Sequence, residues 1–323
     1  MEVLVSVVIP TYKRPELLKR CIESLFIQTL DHQLYELVIV GDGFDSQTKE
    51  VVRTWKEAGF ANLTYIYLPD KKGPAAARNM GWLSAKAKLI AFTDDDCLPK
   101  STWLQTILHC WNGNEEIACS GKLTVPLSEN PSDYELNTAN LETAEFITAN
   151  CICTKAALIK TGGFDERFFM AWREDSDLHF KLLANNITIK KIPEAEVVHP
   201  VRTAKWGVSI KEQKKGMFNA LLYKKYPKLY KNRIGNKVPL NYYLMVLTFF
   251  CFLVCLFFKV EPLAGLSFSI WLLLVLEFFI RRQRRANHSL VHIAEMAVTS
   301  AVIPFVSVYW QFYGAVKYRV LFI

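Results

Sequence analysis

Apolar and polar positions alternate in two rhythms over residues 3–198. Runs rich in β-branched residues at 3–9, 37–40, 63–68 and 89–92 have the length of buried strands. Between and after the first two, residues 17–25 and 48–57 carry apolar positions at helical spacing. Strand–helix alternation of this kind predicts an α/β, Rossmann-like, mostly parallel sheet flanked by helices. Ligands of such sheets sit at the carboxyl ends of the strands, so the residues just after each run matter most.

The rhythm changes after residue 205. Met217, Phe218, Leu221 and Leu222 recur at helical spacing among Lys211, Lys214, Lys215, Lys224 and Lys225. This predicts basic amphipathic helices over 206–238, lying on a membrane surface. Residues 240–258 are then 19 positions without a charge, enough to cross a bilayer as a helix. A turn at Lys259-Val-Glu-Pro262 leads into 263–280, 18 positions with a single acid, Glu277. Arg281-Arg282-Gln283-Arg284-Arg285 closes what reads as a helical hairpin. A third apolar stretch, 290–314, holds His292, Glu295 and Pro304 and is followed by Lys317 and Arg319. It fits a third span or an interfacial or re-entrant helix. The expected organisation is therefore an α/β domain over 1–205, an interfacial segment over 206–238 and a helical membrane region over 239–323.

Charge sharpens this division. Residues 1–198 carry a net charge of −6 and residues 199–323 a net charge of +14. The basic residues flank apolar runs, which points to anionic lipid headgroups and away from nucleic acid. The positive-inside rule places 281–285 in the cytosol, and the N-terminal domain on that side of a cytoplasmic membrane. MEVLVSVVIP has an acid at position 2 and no basic run, so no cleavable leader is expected. Among eight cysteines there is no CxxC pair. Cys151-x-Cys153 and Cys251-x3-Cys255 read as small buried apolar residues in a reducing environment.

Four strand ends carry polar residues. The first run ends in Pro10-Thr11-Tyr12-Lys13-Arg14, the second in Gly41-Asp42-Gly43. After the third, small residues open a helix with Arg78 one turn in; the fourth runs into Asp94, Asp95 and Asp96. In an extended chain Asp94 and Asp96 face one side and Asp95 the other. Two carboxylates on one side suit a hard divalent cation such as Mn2+ or Mg2+. The alternative is a solvated acidic loop. Downstream, Gly162-Gly163 precedes Phe164-Asp165-Glu166, and Glu174 and Asp175 open a predicted helix. Acids there are favoured by the helix dipole. Beside a phosphate-bearing donor, the Asp175 carboxylate would instead deprotonate an attacking hydroxyl. His199 follows another β-branched run and either completes a metal or phosphate site or is structural.

Five motifs in order, VSVVIPTYKRPELLKRCIESL, VIVGDGFDS, KGPAAARNMGW, FTDDDCLP and GGFDERF…WREDSDLHFKL, resemble an inverting glycosyltransferase of family 2 with the GT-A fold. The resemblance covers about 200 residues and is closest in type to membrane-anchored bacterial members. Any one motif alone would be weak. The resemblance implies a nucleotide-sugar donor, commonly a UDP-sugar, in a pocket lined by Pro10, Thr11 and Arg14. It implies that Asp42 contacts the base, although the family usually has a pair of acids where this chain has Gly41-Asp42. Arg78 would approach the nucleotide or its diphosphate. Asp94 and Asp96 would hold the metal, with Asp95 toward the ribose. Asp175 would be the general base, with Glu174 near the acceptor and Gly162 and Gly163 beside the sugar. Processive relatives carry Gln-x-x-Arg-Trp; Arg202-Thr-Ala-Lys-Trp206 does not match, so single-sugar transfer is expected.

The acceptor implied is lipid-linked or a glycan at the cytosolic membrane face, with polyprenyl-phosphate as the alternative. Two other classes compete less well. A non-catalytic scaffold would have no need of Asp94, Asp96 and Asp175 together. A nucleotidyltransferase would need a glycine-rich triphosphate loop after the first strand, and none is present.

Overall fold

The structure is a computed structural model that describes residues 2–111, 113–235 and 239–322. Residues Met1–Pro126 and Ala139–Val201 form one unit, and Leu127–Thr138 with Arg202–Ile323 form another. The segment 127–138 groups with the second unit although it lies within residues 1–205 of the sequence.

In the first unit, β1 (Val5–Thr11), α1 (Pro15–Phe26), β2 (Tyr35–Gly41), α2 (Ser46–Glu57), β3 (Leu63–Tyr67), α3 (Pro74–Ser84) and β4 (Leu89–Phe92) alternate as the pattern predicts. Pro15 opens α1 where no backbone donor is needed, and Leu18, Cys21, Ile22 and Leu25 bury one face. The Asp45 carboxylate caps α2 by accepting the Thr48 N–H at 3.1 Å. Every residue of β1 and β2 is buried, as central parallel strands covered on both faces require.

Then follow β5 (Leu98–Pro99), α4 (Trp103–Cys110) and β6 (Ile117–Thr124). Next is α5 (Asp133–Ala139), most of it in the second unit, before β7 (Cys151–Thr154), α6 (Lys155–Thr161), α7 (Glu174–Ala184) and β8 (Thr188–Val198). The sheet has eight strands in the order β3-β2-β1-β4-β7-β6-β8-β5. The first four in space are parallel, while β7 is antiparallel to β4 and β6, and β5 to β8. The sheet is thus mixed, with its parallel half where the strand runs were legible. One buried cluster, with Ile22, Trp103 and Leu104, covers one face; another, with Trp82, Leu158 and Leu178, covers the other.

The second unit continues with α8 (Val208–Glu212), α9 (Met217–Lys225), α10 (Pro227–Arg233), α11 (Leu240–Phe257), α12 (Glu261–Gln283) and α13 (Leu290–Lys317). The last three are long and apolar enough to cross a membrane, with mean hydropathies of 2.1, 2.2 and 1.6. The third apolar stretch is one unbroken helix of 28 residues with Pro304 inside it. The face of α9 expected to meet lipid is covered instead. Met217, Phe218, Leu221 and Leu222 are buried, and a Cβ on Gly314 of α13 would lie 2.5 Å from the Met217 carbonyl oxygen. All eight cysteines are free, and Cys151 and Cys153 are buried.

Candidate active site

The three aspartates lie beyond the end of β4, where the chain turns. The Cys97 N–H donates to the Asp94 carbonyl at 3.1 Å, which closes the turn and ends the strand-like alternation of side chains. Asp94 and Asp96 meet different side chains. Asp94 Oδ1 accepts from Arg78 Nη2 at 2.6 Å. Asp95 accepts from Thr11 Oγ1 at 2.8 Å and from Arg14 Nη1 at 3.1 Å. Asp96 Oδ1 stands 3.8 Å from His199 Nε2. Giving Asp94 and Asp95 separate donors relieves the repulsion between them. Burial still pushes the Asp95 carboxyl up to about 6, against the pull of Arg14.

Arg78, buried on α3, ties this turn to the start of α7. Besides Asp94, it donates from Nη1 to Glu174 Oε1 at 3.1 Å. Burial works against its charge, but Asp94 and Glu174 outweigh that and hold it protonated. The Arg78 guanidinium is thus engaged by two carboxylates, and it positions the Asp94 turn against α7. Burial pushes the Glu174 carboxyl up to about 7, with Arg78 pulling down and Asp175 pushing up. The next residue, Asp175, is half-buried. Its Oδ1 accepts the Ser176 N–H at 2.6 Å. Desolvation raises its pKa above the ordinary carboxylate value, with Ser176 and Arg173 opposing. Arg78→Ala would leave Asp94 and buried Glu174 facing each other without a cation. It is expected to destabilise the unit by about 3–5 kcal/mol, seen as a lower thermal midpoint in detergent.

Asp42, expected at the base, has its carboxylate committed to the loop before α3: it accepts the N–H of Lys72 at 2.6 Å and of Gly73 at 3.0 Å. Gly162 forms the left-handed cap of α6. At Gly163 a Cβ would fall 2.7 Å from Asn79 Oδ1 and 2.8 Å from Trp82 Nε1. Asn79 in turn accepts the Phe164 N–H and donates to its carbonyl, each at 2.9 Å. Gly163 thus serves the clamp that ties the 163–169 loop to α3, while Gly162 ends α6. Gly73 completes it, with φ +98° and a Cβ position only 2.2 Å from the Phe169 carbonyl oxygen. Gly73→Ala combines backbone strain with a backbone clash. It is expected to cost about 2–4 kcal/mol, measured by the same thermal unfolding.

The donor set around Asp96 fits a cation. Among the described residues, Asp96, Cys97 and His199 bring ligand atoms within 4.8 Å of one another, all buried. At 3.8 Å, the Asp96–His199 pair is too long for a hydrogen bond and suits two ligands flanking one ion. His199 Nδ1 is buried without a hydrogen-bond partner among the described residues, which marks the ring as incompletely satisfied. The carboxylate oxygen suits either Mn2+ or Mg2+, and the imidazole nitrogen favours the transition metal of the two. Burial pushes the Cys97 thiol up and keeps it protonated, so it is a poor ligand for such a cation. Cys97 and the Arg78–Glu174 link escaped the sequence reading, because no local pattern reports a partner 96 residues away. Trp172, half-exposed three residues before Asp175 and carrying Arg173 over its ring at 4.8 Å, escaped it too.

The Glycosyl transferase family 2 profile matches residues 6–168, half of the chain. The chain belongs to this family. Similar proteins include a pre-mycofactocin glycosyltransferase of Mycobacterium tuberculosis, 27% identical over 216 residues, 62% of this chain and 43% of that protein. A validoxylamine A glucosyltransferase of Streptomyces hygroscopicus is 28% identical over 222 residues, 57% of this chain and 49% of that protein. The chain thus spans under half the length of these relatives. Among solved structures, a mannosyltransferase from Pyrobaculum calidifontis in complex with GDP-Man and Mn2+ superposes with a TM-score of 0.56. It is 15% identical, and the match covers 99% of this chain and 88% of that one. This chain has the GT-A fold in its first unit, followed by three long apolar helices.

Proposed function

We propose that this family 2 protein is a membrane-bound, metal-dependent, inverting glycosyltransferase that moves one sugar from a nucleotide-sugar donor. The acceptor is lipid-linked or a glycan at the cytosolic face of the membrane. The observation that carries this reading is the Asp96–His199 pair, joined through the aspartate turn and Arg78 to the helix start that bears Asp175. Asp96 and His199 would hold Mn2+ or Mg2+, and a cation there would neutralise charge growing on the leaving diphosphate. Thr11, Arg14 and Asp95 line the nucleotide side. Asp175 takes the acceptor's proton while its oxygen attacks the anomeric carbon from the face opposite the leaving group. A single displacement of this kind inverts the centre.

A UDP-sugar remains the first donor candidate from the motifs, and the GDP-Man in the structural neighbour makes GDP the second. Calorimetry on the detergent-solubilised chain with UDP, GDP and ADP, with and without Mn2+, separates them. Binding of one diphosphate only when Mn2+ is present supports the reading. No binding under any of these conditions would return the aspartates to a surface turn. Polyprenyl-phosphate is the second acceptor reading, favoured by the apolar hairpin of α11 and α12.

A further inference from the structure

We propose that α13 does not cross the bilayer but lies along its surface at the arginine-rich end of the α11–α12 hairpin, resting its exposed apolar face on an anionic lipid interface. The inference rests on the membrane reading of that hairpin. Tyr242 packs on Phe278 and Phe249 on Trp271, each pair at 5.2 Å, so α11 and α12 are antiparallel. The start of α11 and the end of α12 therefore share one end of the hairpin.

α13 meets that end twice. Arg282, in the last turn of α12, donates to Thr299 Oγ1 at 2.7 Å and to Ser300 Oγ at 3.0 Å. Tyr243, in the first turn of α11, packs edge-on against Phe312 at 6.3 Å. Thr299 and Phe312 are 13 positions apart, about 20 Å along a helix. A third helix parallel to the hairpin would hold them about 20 Å apart in depth. Touching the same end, they require a helix that runs across the hairpin. Phe305, between them, is the side chain that reaches deeper, with its ring 5.2 Å from that of Phe249.

The basic segment supplies an independent argument, because it accompanies α13 along its length. The Gly207 N–H donates to Glu295 at 2.7 Å, and Lys214 sits 5.4 Å from the Trp310 ring centre. The Met217 backbone packs on Gly314, and Lys224 Nζ donates to the Tyr318 carbonyl at 2.7 Å. A spanning α13 would draw these lysines through hydrocarbon, which is costly. At the surface they meet headgroup phosphates instead. On the opposite side, Val291, Val298, Val302, Tyr309 and Val316 are exposed at helical spacing, an apolar stripe that fits the acyl boundary. Two spans also leave Lys317 and Arg319 on the same side as residues 281–285, as the positive-inside rule asks.

The test uses three single substitutions in the full-length chain, Lys259→Cys, Arg285→Cys and Arg319→Cys, at exposed positions. Each is treated with a membrane-impermeant maleimide in sealed vesicles of either orientation, with the parent chain as the background. Labelling of Arg285→Cys and Arg319→Cys from one side and Lys259→Cys from the other is the expected result. Labelling of Arg319→Cys from the same side as Lys259→Cys overturns the proposal, since α13 would then cross. If Lys259→Cys and Arg285→Cys label from the same side, the hairpin does not cross, and the membrane reading falls along with the proposal.

Discussion

Asp96→Asn is expected to abolish Mn2+-dependent nucleotide binding and to lower transfer by about 10³-fold or more, the several kcal/mol that a lost cation clamp represents. Among the described residues, this carboxylate is the negative ligand that the geometry pairs with His199, at 3.8 Å. Asparagine keeps its shape and its capacity to accept hydrogen bonds, so a fold defect is not the expected cause; an unchanged thermal midpoint checks this. The same substitution at Asp95 should behave differently, because that carboxylate is held by Thr11 and Arg14 on the nucleotide side. If Asp96→Asn bound UDP or GDP with undiminished Mn2+ dependence, the cation would have to sit elsewhere.

The second large effect is at Asp175. Asp175→Asn should lower kcat by about 10²–10⁴-fold, the usual contribution of a general base, while calorimetric nucleotide binding with Mn2+ stays within about two-fold. The separation follows from geometry. Glu174 faces inward onto Arg78 and belongs to the framework, whereas Asp175, one residue later, is half-buried with its pKa raised by desolvation. A raised pKa makes the carboxylate a better proton acceptor near neutral pH. Near-normal turnover in Asp175→Asn with intact binding would remove the base from the mechanism. It would favour the polyprenyl-phosphate acceptor, whose phosphate attacks without one.

Local pattern carried much of this. The runs that became β1, β2 and β4 stand in the sequence because buried parallel strands must be continuously apolar, and β3, at the sheet edge, keeps enough β-branched and aromatic residues to be seen beside them. The uncharged run that became α11 and the nearly uncharged run within α12 were equally plain, because a bilayer-long apolar stretch has few other uses. Asp96 and His199 were both singled out from their places after strands, and Asp175 from its place at a helix start.

The rest depended on packing. Nothing local says that a turn after β4 sends Asp94, Asp95 and Asp96 to three different partners, since a period of two assumes a strand that has already ended. Arg78, expected to approach the nucleotide or its diphosphate, is engaged by Asp94 and Glu174, and Asp42 by two backbone donors of the loop before α3. The two-residue β5 escaped because only its pairing with β8 makes it a strand. Hydropathy likewise finds α13 but not its direction. Composition along a chain determines which segments leave water, whereas the partner a side chain meets, and the angle at which two helices cross, exist only once distant segments share one packed interior.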